Sequence, residues 1–240
     1  MKSLLATVTS LVALAATPCV TLAQVTYNIG ATTDYRYRGI SQTRLKPALQ
    51  GGIDYANGGF YLGTWASTIK WIKDAKGDSN VEIDVYGGYK GEITKEVTYD
   101  VGILQYVYPG NKLNPGANTN EIYGLIGFGP VTAKYSHSTT NLFGFGNSKG
   151  SGYLDLNATF DLPDGWTLVP HIGVQSVRHN SLYSYTDYAL TVSKDFSGLV
   201  FSAAVISASV DKVGGVAVYA SPAGKNLGRT GLVLGLKYNF

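Results

Sequence analysis

The stretch Val25-Thr26-Tyr27-Asn28-Ile29-Gly30-Ala31-Thr32-Thr33-Asp34-Tyr35-Arg36-Tyr37-Arg38 divides cleanly in two. Val25, Tyr27, Ile29, Ala31, Thr33, Tyr35 and Tyr37 fall on one side of an extended chain. Thr26, Asn28, Gly30, Thr32, Asp34, Arg36 and Arg38 fall on the other. A period of two belongs to a β-strand, and here one face is apolar while the other carries charge. The final residues repeat the pattern, with Leu232, Leu234, Leu236, Tyr238 and Phe240 opposite Gly231, Val233, Gly235, Lys237 and Asn239. Val81-Ile83-Val85 against Glu82-Asp84-Tyr86 is a third case. Leu154-Leu156-Ala158-Phe160 against Tyr153-Asp155-Asn157-Thr159 is a fourth.

Extending this reading marks segments at 24–38, 47–57, 58–70, 81–91, 95–108, 120–128, 130–139, 151–161, 165–177, 184–194, 198–208 and 230–240. These are twelve, an even number. Tight turns at 57–59, 91–94, 128–130, 163–165 and 195–198 alternate with longer polar loops at 39–46, 71–80, 109–119, 140–150, 178–183 and 209–229. Short and long connections in strict alternation describe an up-and-down meander with all its long loops at one end. The third, fifth and seventh segments alternate poorly, which leaves their facing and boundaries open.

Composition agrees with strands. The 240 residues include 30 Gly and 18 Tyr but a single Met, and only 15% are charged, against about 25% in an average soluble domain. No window combines strong helix formers at helical spacing. The formal charge is +3, and no clustered Lys/Arg face appears, so nucleic acid is not an expected partner.

The opening residues follow a different rule. Lys2 supplies a positive start, Leu4 to Val20 an apolar run, and Thr21-Leu22-Ala23 a small-residue cleavage site. Residues 1–23 are therefore expected to be a signal peptide cut between Ala23 and Gln24, leaving a barrel domain at 24–240. A membrane-anchoring helix is disfavoured by the short run and by Pro18. Cys19, the one cysteine, lies within this leader, so the mature chain has no disulfide, thiol nucleophile or thiolate ligand.

Alternation alone fits two architectures. A soluble sandwich would bury the apolar face against a second sheet. A membrane barrel turns that face to lipid and closes on itself, so no backbone edge is left unpaired. Export, the terminal Phe240 and tyrosines near strand ends (Tyr27, Tyr35, Tyr37, Tyr55, Tyr89, Tyr238) favour an all-β, 12-stranded antiparallel up-and-down transmembrane barrel. Twelve strands about 4.8 Å apart and tilted about 40° give roughly 12 Å of backbone radius, hence a narrow pore.

Three runs are familiar: Asp34-Tyr35-Arg36-Tyr37-Arg38-Gly39-Ile40-Ser41-Gln42, Pro47-Ala48-Leu49-Gln50-Gly51-Gly52-Ile53-Asp54-Tyr55 and Gly59-Phe60-Tyr61-Leu62-Gly63-Thr64-Trp65-Ala66-Ser67. They resemble the TorF family of porins from proteobacteria. Beyond Gly91 the strand pattern and Tyr238-Asn239-Phe240 carry the likeness. The resemblance implies an outer-membrane channel of a Gram-negative bacterium. Phe240 then looks like the terminal aromatic that the outer-membrane assembly machinery reads.

On that facing, Asp34, Arg36, Arg38, Asp54, Glu82, Asp84, Asp155, Asp187 and Lys237 line the pore, with Lys90, Asp100, Glu121 and Lys134 among them. Acidic and basic groups interleave. They can act as a transverse field on small hydrophilic solutes or ions, or as an ion-pair network that shuts the barrel. Arg36 and Arg38 beside Asp34 are the leading constriction candidates. The expected function is a porin-like channel for passive diffusion in contact with outer-membrane lipid. The alternative is a closed barrel with a structural or binding role.

Catalysis is the least favoured class. His137 and Thr139 share a face near Asn141, but Ser136 and Ser138 point the other way. His171 is expected to be a lumen hydrogen-bonding residue and His179 a loop residue. No metal site or cofactor is expected. Loop 209–229 can fold inward as a partial plug or face outward, and its sequence allows both.

Overall fold

The computed structural model describes residues 23–240, and the expected signal peptide, save Ala23, lies outside the described residues. Twelve strands form the wall: β1 Gln24–Thr32, β2 Ala48–Asn57, β3 Phe60–Thr68, β4 Val81–Glu92, β5 Val97–Val107 and β6 Thr119–Phe128. They continue as β7 Val131–Ser138, β8 Gly152–Ala158, β9 Trp166–Ser176, β10 Tyr185–Phe196, β11 Leu199–Ser209 and β12 Gly231–Asn239. Each strand pairs antiparallel with its sequence neighbours, and β1 pairs with β12 from Asn28↔Asn239 to Thr32↔Gly235. The sheet is thus a closed barrel with no free edge among the described residues, the architecture that the sequence favoured over a sandwich.

Short turns gather at one end and long loops at the other. Ser197 and Gly198 both take positive φ (57° and 97°), the backbone of a two-residue hairpin turn that follows strand twist. Asp195 Oδ1 accepts from Gly198 N at 2.6 Å and closes it. β4 runs to Glu92, which moves the second turn to 93–96.

The alternation sorts side chains as read. Val25, Tyr27, Ile29, Leu49, Ile53, Leu62, Leu154, Leu156, Leu232, Leu234 and Leu236 are exposed on the outer surface. So large an apolar face marks a surface meant for lipid. An aromatic girdle rims the short-turn end: Phe60 packs on Tyr89 (4.7 Å between centroids) and Tyr27 on Phe240 (5.7 Å).

Two expectations about the first segment fail together. β1 ends at Thr32, and Thr33–Pro47 turns into the lumen rather than continuing the strand and forming an outer loop over 39–46. Tyr35 and Tyr37 therefore leave the girdle. Tyr35 is buried and Tyr37 packs against Tyr106 and Phe143 inside the barrel. The period of two persisted through 33–37 because part of this stretch is itself a small β-hairpin.

The inserted segment also explains the poor alternation elsewhere. Trp65 on β3 and Leu104 and Tyr106 on β5 face inward, where Tyr35, Ile69, Ile72, Tyr108 and Tyr123 form a cluster at the loop end. An apolar side chain on the lumen face breaks the expected pattern because it packs on the insert instead of on water. β11 presents Ser202, Ala204 and Ala208 inward, and these small residues leave room for the hairpin.

Candidate pore and its constriction

The lumen hairpin pairs Arg36 with Ser41 and Tyr37 with Ile40. Arg38 and Gly39 form its turn, with φ of 45° and 78°, so the sequence Arg-Gly is used as a tight reversal. A Cβ on Gly39 would lie 2.6 Å from Asp187 Cβ and 3.1 Å from Ala208 Cβ. The tip is therefore seated directly on β10 and β11, and glycine alone meets both the backbone and the space requirement.

Every polar side chain on the hairpin is tied. Arg36 Nε donates to Asp34 Oδ2 at 2.5 Å, and Arg36 Nη1 donates to the carbonyls of Gly39, Leu227 and Arg229 at 3.0, 3.0 and 3.1 Å. Asp34 Oδ1 accepts from Ser41 Oγ at 2.5 Å and Thr43 Oγ1 at 3.2 Å. Tyr35 donates to Glu82 Oε1 at 2.5 Å. Arg38 reaches across to β6, where its Nη2 meets Glu121 Oε2 at 2.7 Å, and to β9, where its Nη1 meets Gln175 Oε1 at 2.8 Å. Its guanidinium also lies 4.2 Å over the Tyr153 ring, a cation–π contact.

Walls of two characters face this insert. On β4 and β6, Glu82 and Glu121 are 2% exposed and Asp84 is 7% exposed, and Asp84 Oδ1 has no hydrogen-bond partner among the described residues. On β8 to β10, His171 Nε2 lies 2.9 Å from Asp187 Oδ1, and its Nδ1 lies 3.1 Å from Asp155 Oδ1. Tyr153 donates to Asp187 Oδ2 at 3.0 Å. Toward the short turns, Tyr86 donates to Asp54 Oδ1 at 2.5 Å and Tyr61 to Asp100 Oδ1 at 2.6 Å. Lys134 Nζ sits 3.8 Å over the Tyr123 ring.

Between hairpin and wall remains a cavity of about 90 Å³, bordered by Arg36, Arg38, Lys134, Asp155, Asn157, His171 and Asp187. It has room for a small cluster of waters and is polar enough to hold them. Both signs of charge face it. Cations stand mainly on the hairpin and β7, and carboxylates on β8 and β10.

Most residues named from sequence stand on inward positions: Asp54, Glu82, Asp84, Asp155, Asp187 and Lys237 on strands, and Asp34, Arg36 and Arg38 on the hairpin. The last three are thus placed by a different element from the one expected. Phe240 follows β12, stacks on Tyr238 at 5.7 Å and exchanges backbone hydrogen bonds with Tyr27. Sequence reasoning missed Gln175 and Tyr153 as partners of Arg38, and Gly39 as the seated tip. Arg38-Gly39 between two short extended pairs was the available signal. His171 is in the lumen and His179, bonded to Asn147 O, is in a loop. His137 faces outward beside Tyr135, while Thr139 bonds Asn120 and Asn141 bonds Ser148 N.

Loop 210–230 divides its length between both options left open. The hairpin Lys212–Val213/Val216–Ala217 carries exposed Val213 and Val216. Its return, by contrast, buries Leu227 against Ile40 and Ala208.

Among solved structures, the fold is similar to the KdgM porin in complex with disordered oligogalacturonate, with a TM-score of 0.56 and 10% identity over 91% of this chain and 99% of that one. It is also similar to the NanC porin, with a TM-score of 0.55 and 10% identity over 90% and 99%. At this identity the likeness concerns the barrel alone. No curated protein matches the sequence. A family model matches residues 15–239, nearly the whole chain, and on that match the chain belongs to Gcw_chp, a family of bacterial proteins of unknown function.

Proposed function

We propose that this chain is an outer-membrane porin of the TorF kind, a passive channel for small hydrophilic solutes or ions. It is exported by the leader at 1–23 and inserted by an assembly machinery that reads Phe240. The observation that carries this reading is the hairpin. It narrows the lumen with Arg36 and Arg38 opposite Asp155 and Asp187, yet leaves a polar, water-sized space beside them. An eyelet of opposed charges orients a hydrated solute and rejects apolar ones, because a desolvated apolar group gains nothing there. The likeness to two porin folds supports the same reading.

A closed barrel with a structural or binding role is the second reading, favoured by one observation. Arg38 bridges β6 and β9 and, with the aromatic cluster around Tyr35 and Tyr106, fills much of the cross-section. Planar-bilayer recording of the refolded mature protein in a salt gradient separates the two. Discrete current steps with a reversal potential support the channel. Arg36→Ala/Arg38→Ala should then move that potential toward cation preference, since two positive charges leave the eyelet. Silence from protein shown to be folded and inserted supports the closed barrel.

A further inference from the structure

A second cavity, of about 350 Å³, opens at the loop-side rim and touches the lumen network only through Thr43, which bonds Asp34. Arg44 and Lys46, on the arm returning from the hairpin, line it together with Lys70 after β3 and Lys225 of the last loop. Thr68 adds a hydroxyl, whereas that of Thr43 is held by Lys46 O and Asp34, and no carboxylate among the described residues lines it. Arg44 is held from outside the cavity by Asp74, through Nε at 2.5 and 2.7 Å. Lys46, Lys70 and Lys225 form no ion pair among the described residues. The lumen arginines, by contrast, are each paired with a carboxylate. Three unneutralised ammonium groups around one concavity repel each other, and an anion with several oxygens relieves that repulsion.

The height of this cavity indicates the anion's source. Leu49, three residues after Lys46, is 68% exposed on the outer apolar face, and its N–H donates to Thr68 Oγ1 at 3.2 Å. The cavity thus begins where the lipid-facing surface ends. Long loops of such barrels face outward, so this border meets the outer leaflet, whose lipid is phosphorylated lipopolysaccharide. Basic pockets at the edge of an apolar belt suit lipid headgroups, because acyl chains can lie on the belt while phosphate meets the cations.

We propose that this rim cavity binds a headgroup phosphate of outer-leaflet lipopolysaccharide through Lys46, Lys70 and Lys225. The assignment of leaflet rests on the outer-membrane reading, whereas channel activity plays no part in it. The test is binding of rough-type lipopolysaccharide to the full mature protein in detergent, repeated with the enzymatically dephosphorylated lipid and with pyrophosphate. Lys46→Gln/Lys70→Gln/Lys225→Gln should weaken binding by roughly 100-fold, and Lys46→Arg/Lys70→Arg/Lys225→Arg should retain it. Dephosphorylation should weaken binding to the unaltered protein to a similar degree. Equal binding by the Gln variant, or by the dephosphorylated lipid, overturns the proposal. Displacement of the lipid by an equal concentration of pyrophosphate also overturns it, because the site would then take a free anion. Heat-dependent gel mobility reports folding of each variant, and should the Gln variant not fold, the dephosphorylated lipid still decides. Conductance of the Gln variant keeps its parental value, and an unaltered protein that binds the lipid but carries no current counts against the channel alone.

Discussion

Arg38 Nη2 and Glu121 Oε2 lie 2.7 Å apart across the lumen, joining the tip of an inserted hairpin to β6 some eighty residues along the chain. Both side chains are almost fully buried, at 7% and 2% exposed. Removing one partner strands a charge, whereas replacing both with neutral groups of similar size does not. Arg38→Ala should therefore cost about 3–5 kcal/mol, and Arg38→Met/Glu121→Gln clearly less. Urea unfolding followed by tryptophan fluorescence in lipid vesicles measures the difference. A double variant as unstable as the single one would show that the pair is not coupled.

Gly39 seats the tip of the lumen hairpin, which the channel reading makes the constriction. Gly39→Val must accept positive φ and a Cβ 2.6 Å from Asp187 Cβ, so the hairpin tip has to leave its seat. The expected cost is about 1–3 kcal/mol, with single-channel conductance higher than in the parent as the eyelet widens. Unchanged conductance in a conducting barrel would remove the hairpin from the permeation path.

Val205 lies mid-strand on the outer face of β11, and Ala204 beside it faces inward. Val205→Arg should destabilise the inserted barrel by about 2–4 kcal/mol, the range for an arginine facing lipid near the midplane. Equilibrium unfolding from vesicles provides the measurement, and a neutral result would mean that this face does not meet hydrocarbon.

Phe240 makes its stacking contacts with Tyr27 and Tyr238 at an exposed end. Phe240→Ala should change in-vitro stability by only about 1 kcal/mol. If an assembly machinery reads the terminal aromatic, as proposed, its level in the outer membrane should fall severalfold. Equal membrane levels of both proteins would restrict Phe240 to a packing role.

Lys112, hydrogen-bonded to Asp78 at 2.9 Å in the loops, holds that carboxyl below its usual range. A depressed carboxylate stabilises the fold above its unfolded pKa and loses that contribution as pH falls through the folded value. Stability profiles of Lys112→Ala and the parent should therefore converge as pH falls through the depressed folded value and separate slightly above the unfolded one. The pair is open to water, so about 0.5 M salt should erase the separation. A gap that widened in acid would contradict the assignment.

The sequence alone determined the strand count, the up-and-down order and the outward face of most strands. Each of those follows from a local property: side chains alternate across a strand whatever its partners, and short turns declare themselves through residues such as Gly58-Gly59 and Ser197-Gly198. Where Asp34, Arg36 and Arg38 sit was decided only by tertiary structure. Their alternation is identical in a wall strand and in a lumen hairpin, and the choice depends on partners far along the chain: Leu227 and Arg229 for Arg36, Glu121 and Gln175 for Arg38, Asp187 and Ala208 for the Gly39 seat. The inward facing of Trp65 and Tyr106 was hidden for the same reason, since an apolar residue in a lumen makes sense only once the element packed against it is known. Periodicity encodes which face a residue takes, and contacts between distant segments decide what that face meets.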